Sequence, residues 1–360
     1  MATLSLSGIS TAMSVVLQDH LQDQFRKDVI LPNLLRVTTG AGQNVSWTVK
    51  TDGRTAGGPY AEGADMADGD FDSHVRHTAS LNWAQYRKGA KVSGLAKAVA
   101  ASIGGTTHYS GLSDLLAEEI DDALIELGVD FGGDLYAGNH AASPVELAGA
   151  ALGISATDDN FAGIDTGLHP SWLANVGTSF ALADTAFKDI RDQLFRPVRN
   201  ATGRDPHFVT VPGNVYDVLR NRFQDNAETL QQIRTFAGNV IGIEQMAGAR
   251  AISLDGVPFI EDRFCTANTM YAWNADMVEI VQLPADVNTS REAVMQAMLD
   301  FDIPVTEQDV VARLSQRAGR LTPVIHMLGS TGDNVKAFVK LYAQMKWKRR
   351  NAFAKVAVTV

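Results

Sequence analysis

The sequence predicts an α+β fold in which ribbons and one long helix project from a compact α+β unit. Three observations carry that prediction. Apolar alternation at period two marks residues 45–49, 75–83 and 335–347 as strands. An apolar stripe at helical spacing runs through residues 111–137. Between the first two strands lies GGPYAEGADMADGDFD, residues 57–72, with four glycines and five acidic residues in sixteen positions.

Taken in order, residues 14–31 read as an amphipathic helix. Val15, Val16, Leu17, Leu21, Phe25 and Val29 recur at helical spacing, Ser14 caps the start and Pro32 stops it. Val45, Trp47 and Val49 then alternate with Ser46, Thr48 and Lys50. After the glycine-rich stretch, Val75, Ala79, Leu81 and Trp83 alternate with polar residues, and His77 is the one polar residue on the apolar side. These strands make a long hairpin whose apolar face needs a cover, because an isolated two-stranded ribbon is marginal in water.

Over residues 111–137, Leu112, Leu115, Leu116, Ile120, Leu124, Leu127, Phe131 and Leu135 form one stripe and acids line the rest. Such a helix is roughly 40 Å long. Gly128, Gly132 and Gly133 are candidates to fray or bend its second half. Residues 138–180, rich in Ala, Gly, Ser and Asp, read as loops. A helix follows over 182–195, ended by Pro197. Residues 208–211 form a short strand, and Pro212 opens the next helix. Leu254-Asp255-Gly256-Val257 is a tight hairpin, and Pro258 marks an edge strand. Residues 270–273 and 277–283 are two more strands, closing a compact unit over 180–285. After the alternation of 335–347 and the polar Arg349-Arg350-Asn351, Ala352, Ala354, Val356, Val358 and Val360 alternate again, which reads as a second long ribbon.

The 360-residue chain is 45% hydrophobic and 20% charged, an ordinary globular composition. Its net charge of −10 argues against wrapping nucleic acid, which needs Lys and Arg clustered on one face. The local exception is Lys346, Lys348, Arg349, Arg350 and Lys355, with Trp347 and Phe353 among them. That cluster reads as a soluble turn or a surface for an acidic partner, ahead of a nucleic-acid contact. Cys265 is the only cysteine, so no intrachain disulfide is expected. The N-terminal stretch lacks a signal-peptide pattern, and no window carries about twenty apolar residues, so no membrane span is expected.

Motifs with chemistry are missing. Asp68, Asp70 and Asp72 begin like a calcium loop, but Ser73 and Ala79 stand where Gly and a bidentate acid belong. His74 and His77 fall on opposite faces of a strand, which argues against a shared zinc. There is no phosphate-binding glycine loop and no G-x-S-x-G. Glu118-Glu119 and Asp121-Asp122 read as a solvated helix face. No enzyme activity, metal or cofactor is expected. Elements that project from a compact unit find their cover on another copy, and like subunits make closed assemblies.

The order of these parts resembles the major capsid proteins of tailed bacteriophages, the Hong Kong 97-like fold. YAEGADM followed by HVRHTASLNWAQYRKGAKVS is similar to that family's extended loop, the E-loop. SDLLAEEIDDALIELGVDFGGDLYAG is similar to its spine helix. PHFVTVPGNVYDVLRN, with ISLDGVPFIED and NTMYAWNADMVEIV, resembles its axial domain. The resemblance implies an N-terminal arm and helix over 1–36 and an E-loop over 37–92. It further implies a peripheral domain over 93–180 with spine helix 111–137, an axial domain over 181–300 and a peripheral β return over 301–360.

It also implies a non-enzymatic protein that assembles with itself into hexamers and pentamers of an icosahedral shell. The shell encloses double-stranded DNA without reading its sequence, in a virion assembled in the host cytoplasm. Scaffold, portal and decoration proteins would be partners, and no membrane is involved. The alternatives are an encapsulin-like nanocompartment shell, a gene-transfer-agent capsid and, remotely, a soluble enzyme with no readable motif. Expected intersubunit contacts are Trp47, Tyr60, Asp68, Asp70, Asp72, Val75, Leu81 and Trp83 on the arm. The basic residues Lys346, Lys348, Arg349 and Arg350 form a patch that could receive a neighbour's acidic tip.

Overall fold

A computed structural model describes residues 29–52, 75–92, 110–157, 160–182, 186–225, 251–283, 321, 323–331 and 334–360. The stretch 57–72 and nearly all of the helix expected over 14–31 lie outside them. The chain enters through a short helix, α1 (Leu31–Leu34), then strands β1 (Arg36–Thr39), β2 (Asn44–Asp52), β3 (Val75–Asn82) and β4 (Ala84–Val92). The long helix α2 spans Ser110–Ala137. Short pieces follow: α3 (Ala150–Gly153), β5 (Asn160–Phe161), β6 (Ile164–Asp165), a 3-10 turn (Pro170–Trp172), β7 (Asn175–Val176) and β8 (Phe180–Ala181). Then come α4 (Ala186–Ile190), α5 (Arg196–Thr202), β9 (Phe208–Val211), α6 (Gly213–Asp225), β10 (Ala251–Leu254), β11 (Val257–Glu261), β12 (Thr269–Trp273) and β13 (Val278–Gln282). The chain closes with β14 (Val324–Thr331), β15 (Asn334–Trp347) and β16 (Ala354–Thr359).

Two sheets organise these elements. The first is five-stranded, in the order β1-β13-β15-β14, with β4 on the other edge of β15. The second is seven-stranded, in the order β10-β11-β9-β12-β16-β7, with β8 also on β16. Helix α2 lies on the first sheet. Ile120, Ala123, Leu124, Leu127, Phe131 and Leu135 are buried, and Tyr86 of β4 meets Phe131 edge-on with ring centroids 5.5 Å apart. The helix runs unbroken through Gly128, Gly132 and Gly133, against the expected bend. Gly132 is there for contact: a Cβ at this position would come within 2.7 Å of the Phe264 ring. A second apolar cluster joins α4, α5 and α6 to β9, β11, β12 and β16.

The prolines behave differently from expectation. Pro32 sits in the first turn of α1, where a missing N–H costs nothing. Pro197 fails to end its helix. A five-residue π segment, Arg191–Phe195, carries α4 into α5. The wider turn shifts the hydrogen-bond ladder where the proline ring would otherwise collide with the preceding turn. Pro258 is not on an edge strand, since β11 pairs with both β10 and β9. Its pairing with β9 begins only at Phe259, so the missing N–H breaks no bond on that side. The hairpin before it is as expected, with positive φ at Asp255 (52°) and Gly256 (84°).

The expected second terminal ribbon does not form. β15 pairs with β4, β13 and β14, whereas β16 pairs with β12, β7 and β8 in the other sheet. β13, expected inside the unit over 180–285, belongs to the first sheet. A single turn of 3-10 helix at Arg350–Ala352 moves the chain from one sheet to the other. At that crossing the aromatic rings of both sheets meet. Trp273 of β12 stacks on Trp347 of β15 at 5.9 Å and on Phe208 of β9 at 6.1 Å. The Trp273 indole N–H donates to Thr210 Oγ1 at 2.8 Å and that of Trp347 to the Ala148 carbonyl at 3.0 Å.

Candidate functional site

The β2–β3 ribbon has the expected register, with Val45 opposite Leu81 and Trp47 opposite Ala79. Its apolar face is Val45, Trp47, Val49, Ala79 and Leu81, and all five are buried. The cover comes from the same chain. The Ser80 N–H donates to the Ala162 carbonyl at 2.9 Å, the Ser171 hydroxyl donates to the Thr51 carbonyl, and the His77 and His169 rings lie 4.2 Å apart. Trp83, at the ribbon base, donates its indole N–H to the Gly42 carbonyl at 3.0 Å. Trp47 (8% exposed), Leu81 (4%) and Trp83 (7%) are therefore core residues of their own subunit, which corrects the expectation of a bare apolar face. Val75 begins β3, and Tyr60, Asp68, Asp70 and Asp72 lie outside the described residues. The ribbon's other face is polar and exposed, and there Lys50 stands directly opposite Arg76.

The terminal basic cluster is also engaged within the chain. Lys346 and Lys348 reach Glu279 at 2.8 Å and 2.7 Å. Burial raises the Glu279 pKa, but the two ammonium groups outweigh it and hold the carboxylate below its ordinary value. Arg349 donates to Asn351 Oδ1 at 2.7 Å and to the Ala201 carbonyl. Arg350 is fully buried. It donates to the carbonyls of Gly153 (2.8 Å), Leu152 (3.2 Å) and Ser155 (3.2 Å), and its guanidinium lies 4.2 Å from the Phe161 ring centroid. Arg350 therefore offers no side chain to a neighbour, and Lys346 and Lys348 offer only what Glu279 leaves.

The buried titratable groups form structural bonds. Tyr136 donates to Asp262 Oδ2 at 2.8 Å, and the Phe264 N–H donates to Asp262 Oδ1 at 3.0 Å. Burial raises the Asp262 carboxyl and the neighbouring Cys265 thiol above their ordinary values. A protonated, buried thiol is a poor nucleophile. A cleft of about 330 Å³ beside the π segment is lined by Lys188, Arg191, Asp192, Phe195, Arg196, Arg199 and Asp255. Both of its acids are paired, Asp255 with Arg191 at 2.6 Å and Asp192 with Arg196 at 3.0 Å, and Arg199 pairs with Asp205 at 2.7 Å. Among the described residues no cluster of three or more metal-ligating side chains occurs, and no helix is long and apolar enough to cross a membrane.

Two surfaces remain distinctive. Helix α2 exposes Glu119, Asp122, Glu126 and Asp130, with Ile125 and Val129 between them. The first sheet, on the face away from α2, carries Arg87 and Lys91 of β4 beside Lys340 and Lys336 of β15. Sequence reading missed this second grouping. Lys336 and Lys340 are four apart on a strand and so share a face, but only the register brings Arg87 and Lys91 to them.

No family model and no curated protein matches the sequence. The fold, however, is shared with solved shells. A chain of the cyanophage A-1(L) capsid asymmetric unit superposes with a TM-score of 0.62 at 16% identity, covering 92% of each chain. The capsid of a native GTA particle gives 0.51 at 10% identity, over 92% of this chain and 90% of the other. The holo-SrpI encapsulin complex from Synechococcus elongatus gives 0.50 at 10% identity, over 91% and 86%. The chain thus shares one fold with these capsid and encapsulin subunits along nearly its whole length.

Proposed function

We propose that the chain is the non-enzymatic major capsid protein of a tailed phage, with the Hong Kong 97-like arrangement of arm, E-loop, peripheral and axial domains. The observation that carries this is the 0.62 superposition over 92% of the chain on a cyanophage capsid subunit. In this reading the first sheet with α2 is the peripheral domain, the second sheet with α4–α6 is the axial domain, and β2–β3 is the base of the E-loop. Copies assemble into hexamers and pentamers of an icosahedral shell around double-stranded DNA, alongside scaffold, portal and decoration proteins. The contacts between copies come from the arm tip (Tyr60, Asp68, Asp70 and Asp72) and the outer ribbon face. The ribbon's apolar side is already committed, so its role is to hold the arm at a fixed angle.

Expression of the full chain followed by electron microscopy tests this reading. Closed shells with visible capsomers are expected, and a protein that stays monomeric at high concentration would overturn it. The encapsulin likeness supports a second reading, a nanocompartment around protein cargo. DNA inside purified particles selects the first reading, and a co-purifying enzyme selects the second.

A further inference from the structure

The face of the first sheet away from α2 separates charge in a way that the net −10 of the chain conceals. In β15, Ala337, Val339, Leu341, Ala343, Met345 and Trp347 are buried, while Lys336, Phe338, Lys340 and Tyr342 alternate with them on the opposite side. Register sets Lys91 beside Lys336 and Arg87 beside Lys340. Strands β4, β14 and β15 contain no Asp or Glu. On the α2 side of β4, Lys88 is neutralised by Asp130 at 2.9 Å and Glu126 at 3.7 Å. The four cations of the other face make no ion pair among the described residues.

The geometry follows from the sheet. Lys336 and Lys340 are four residues apart, so the two cross-strand pairs are about 13 Å apart, with about 5 Å between strands. Like charges placed directly opposite repel, so the arrangement is a cost to the isolated sheet. An anion that bridged them would remove it. The Lys340 ammonium lies 5.9 Å from the Phe338 ring and 5.5 Å from that of Tyr342. These rings hold its stem against the sheet and leave the charge at the surface.

We propose that this face binds the phosphate backbone of double-stranded nucleic acid without reading its sequence. The inference rests on the shell reading only in that an enclosed duplex would supply the polyanion. A duplex carries a charge every 1.7 Å or so, so about eight phosphates lie within a 13 Å span, more than four cations need. β15 lies between β4 and β14, so the β4–β15 pair cannot enter a groove as a free two-stranded ribbon would, and the contacts go to phosphate. A protein partner would want an apolar anchor at the centre of the patch. Here both rings are already occupied by Lys340.

The test uses the full-length chain, kept dilute enough to remain unassembled, and fluorescence anisotropy with a labelled duplex of about 30 base pairs. Four phosphate contacts predict a slope of about −3.6 for log K against log salt, or about 150-fold weaker binding at 200 mM than at 50 mM. Two duplexes of unrelated sequence should bind equally. Lys336→Ala with Lys340→Ala should reduce the slope by about 1.8. Arg87→Gln with Lys91→Gln, at exposed positions of β4, should do the same and guards against a folding defect in the first pair. An unchanged slope in both folded double variants overturns the proposal. So does a wild-type chain that binds a synthetic peptide of residues 57–72 and no duplex. Electron microscopy of the same variants separates the two readings. Normal shells with an unchanged slope overturn this proposal alone, and a wild type that forms no shells overturns the shell reading while leaving the binding result standing.

Discussion

Arg350 is buried at the point where the chain leaves one sheet for the other, and its guanidinium gathers the carbonyls of Leu152, Gly153 and Ser155. The Leu152 and Gly153 carbonyls end the short helix α3 and find no other donor among the described residues, whereas the Ser155 carbonyl also accepts from the Ala174 N–H at 3.4 Å. Leaving buried acceptors unsatisfied costs about 1–3 kcal/mol each. Arg350→Met should therefore destabilise the subunit by at least about 2 kcal/mol in urea denaturation, and Arg350→Lys should recover only part of it, because one ammonium cannot span the same fork. Glu279 works in the opposite regime. Its pKa is held below the ordinary 4.5, so the folded state favours the carboxylate. Its contribution to stability is complete above the unfolded value and disappears as pH falls through the folded one. The wild type should lose stability on acidification below about pH 4.5, and Glu279→Gln should remove that share of the loss, read from urea midpoints at a series of pH values. A wild type and variant with parallel pH profiles would rule out this role for Glu279.

At the scale of elements, what was legible in the sequence is what local periodicity controls. The stripe from Ile120 to Leu135 and the alternation of Val45, Trp47 and Val49 each identified an element and its buried face, and the structure has both. Long-range pairing was not legible. The alternations of β15 and β16 look alike in sequence, yet their partners lie in different sheets, and β1 finds β13 some 240 residues away. Pro197 and Pro258 misled for a local reason: a π segment and a late-starting ladder remove the conflict that proline normally causes. The candidate site was legible in part. The ribbon was found, but its cover by residues 160–172 depends on contacts between distant segments. Because that cover belongs to the same subunit, the arm tip can be removed without exposing the ribbon's apolar side. Deleting residues 57–72 should leave the far-UV circular dichroism and the urea midpoint of the subunit near wild type while abolishing shell formation. An unfolded deletion variant would show the stretch to be part of the subunit's own core instead.

At the scale of the whole molecule, the chain passes from the second sheet (β12) to the first (β13, β14, β15) and back (β16). Neither sheet is built from a continuous segment, so neither can be completed without the other. The two sheets meet at one aromatic junction, where Trp273 contacts Trp347, Phe208, Phe353, Tyr271 and Tyr136. In the proposed shell, this coupling would let force applied to one sheet by a neighbour reach the other without the two hinging apart. Trp273 is fully buried, and truncating a buried Trp to Ala costs about 3–5 kcal/mol. If the junction couples the halves, Trp273→Ala should lower the unfolding midpoint of the whole chain while retaining one transition. Far-UV circular dichroism, which follows both sheets, and the fluorescence of the remaining tryptophans should then coincide. Two separated transitions, with only one moved by the substitution, would mean that the sheets unfold independently in spite of the shared strands.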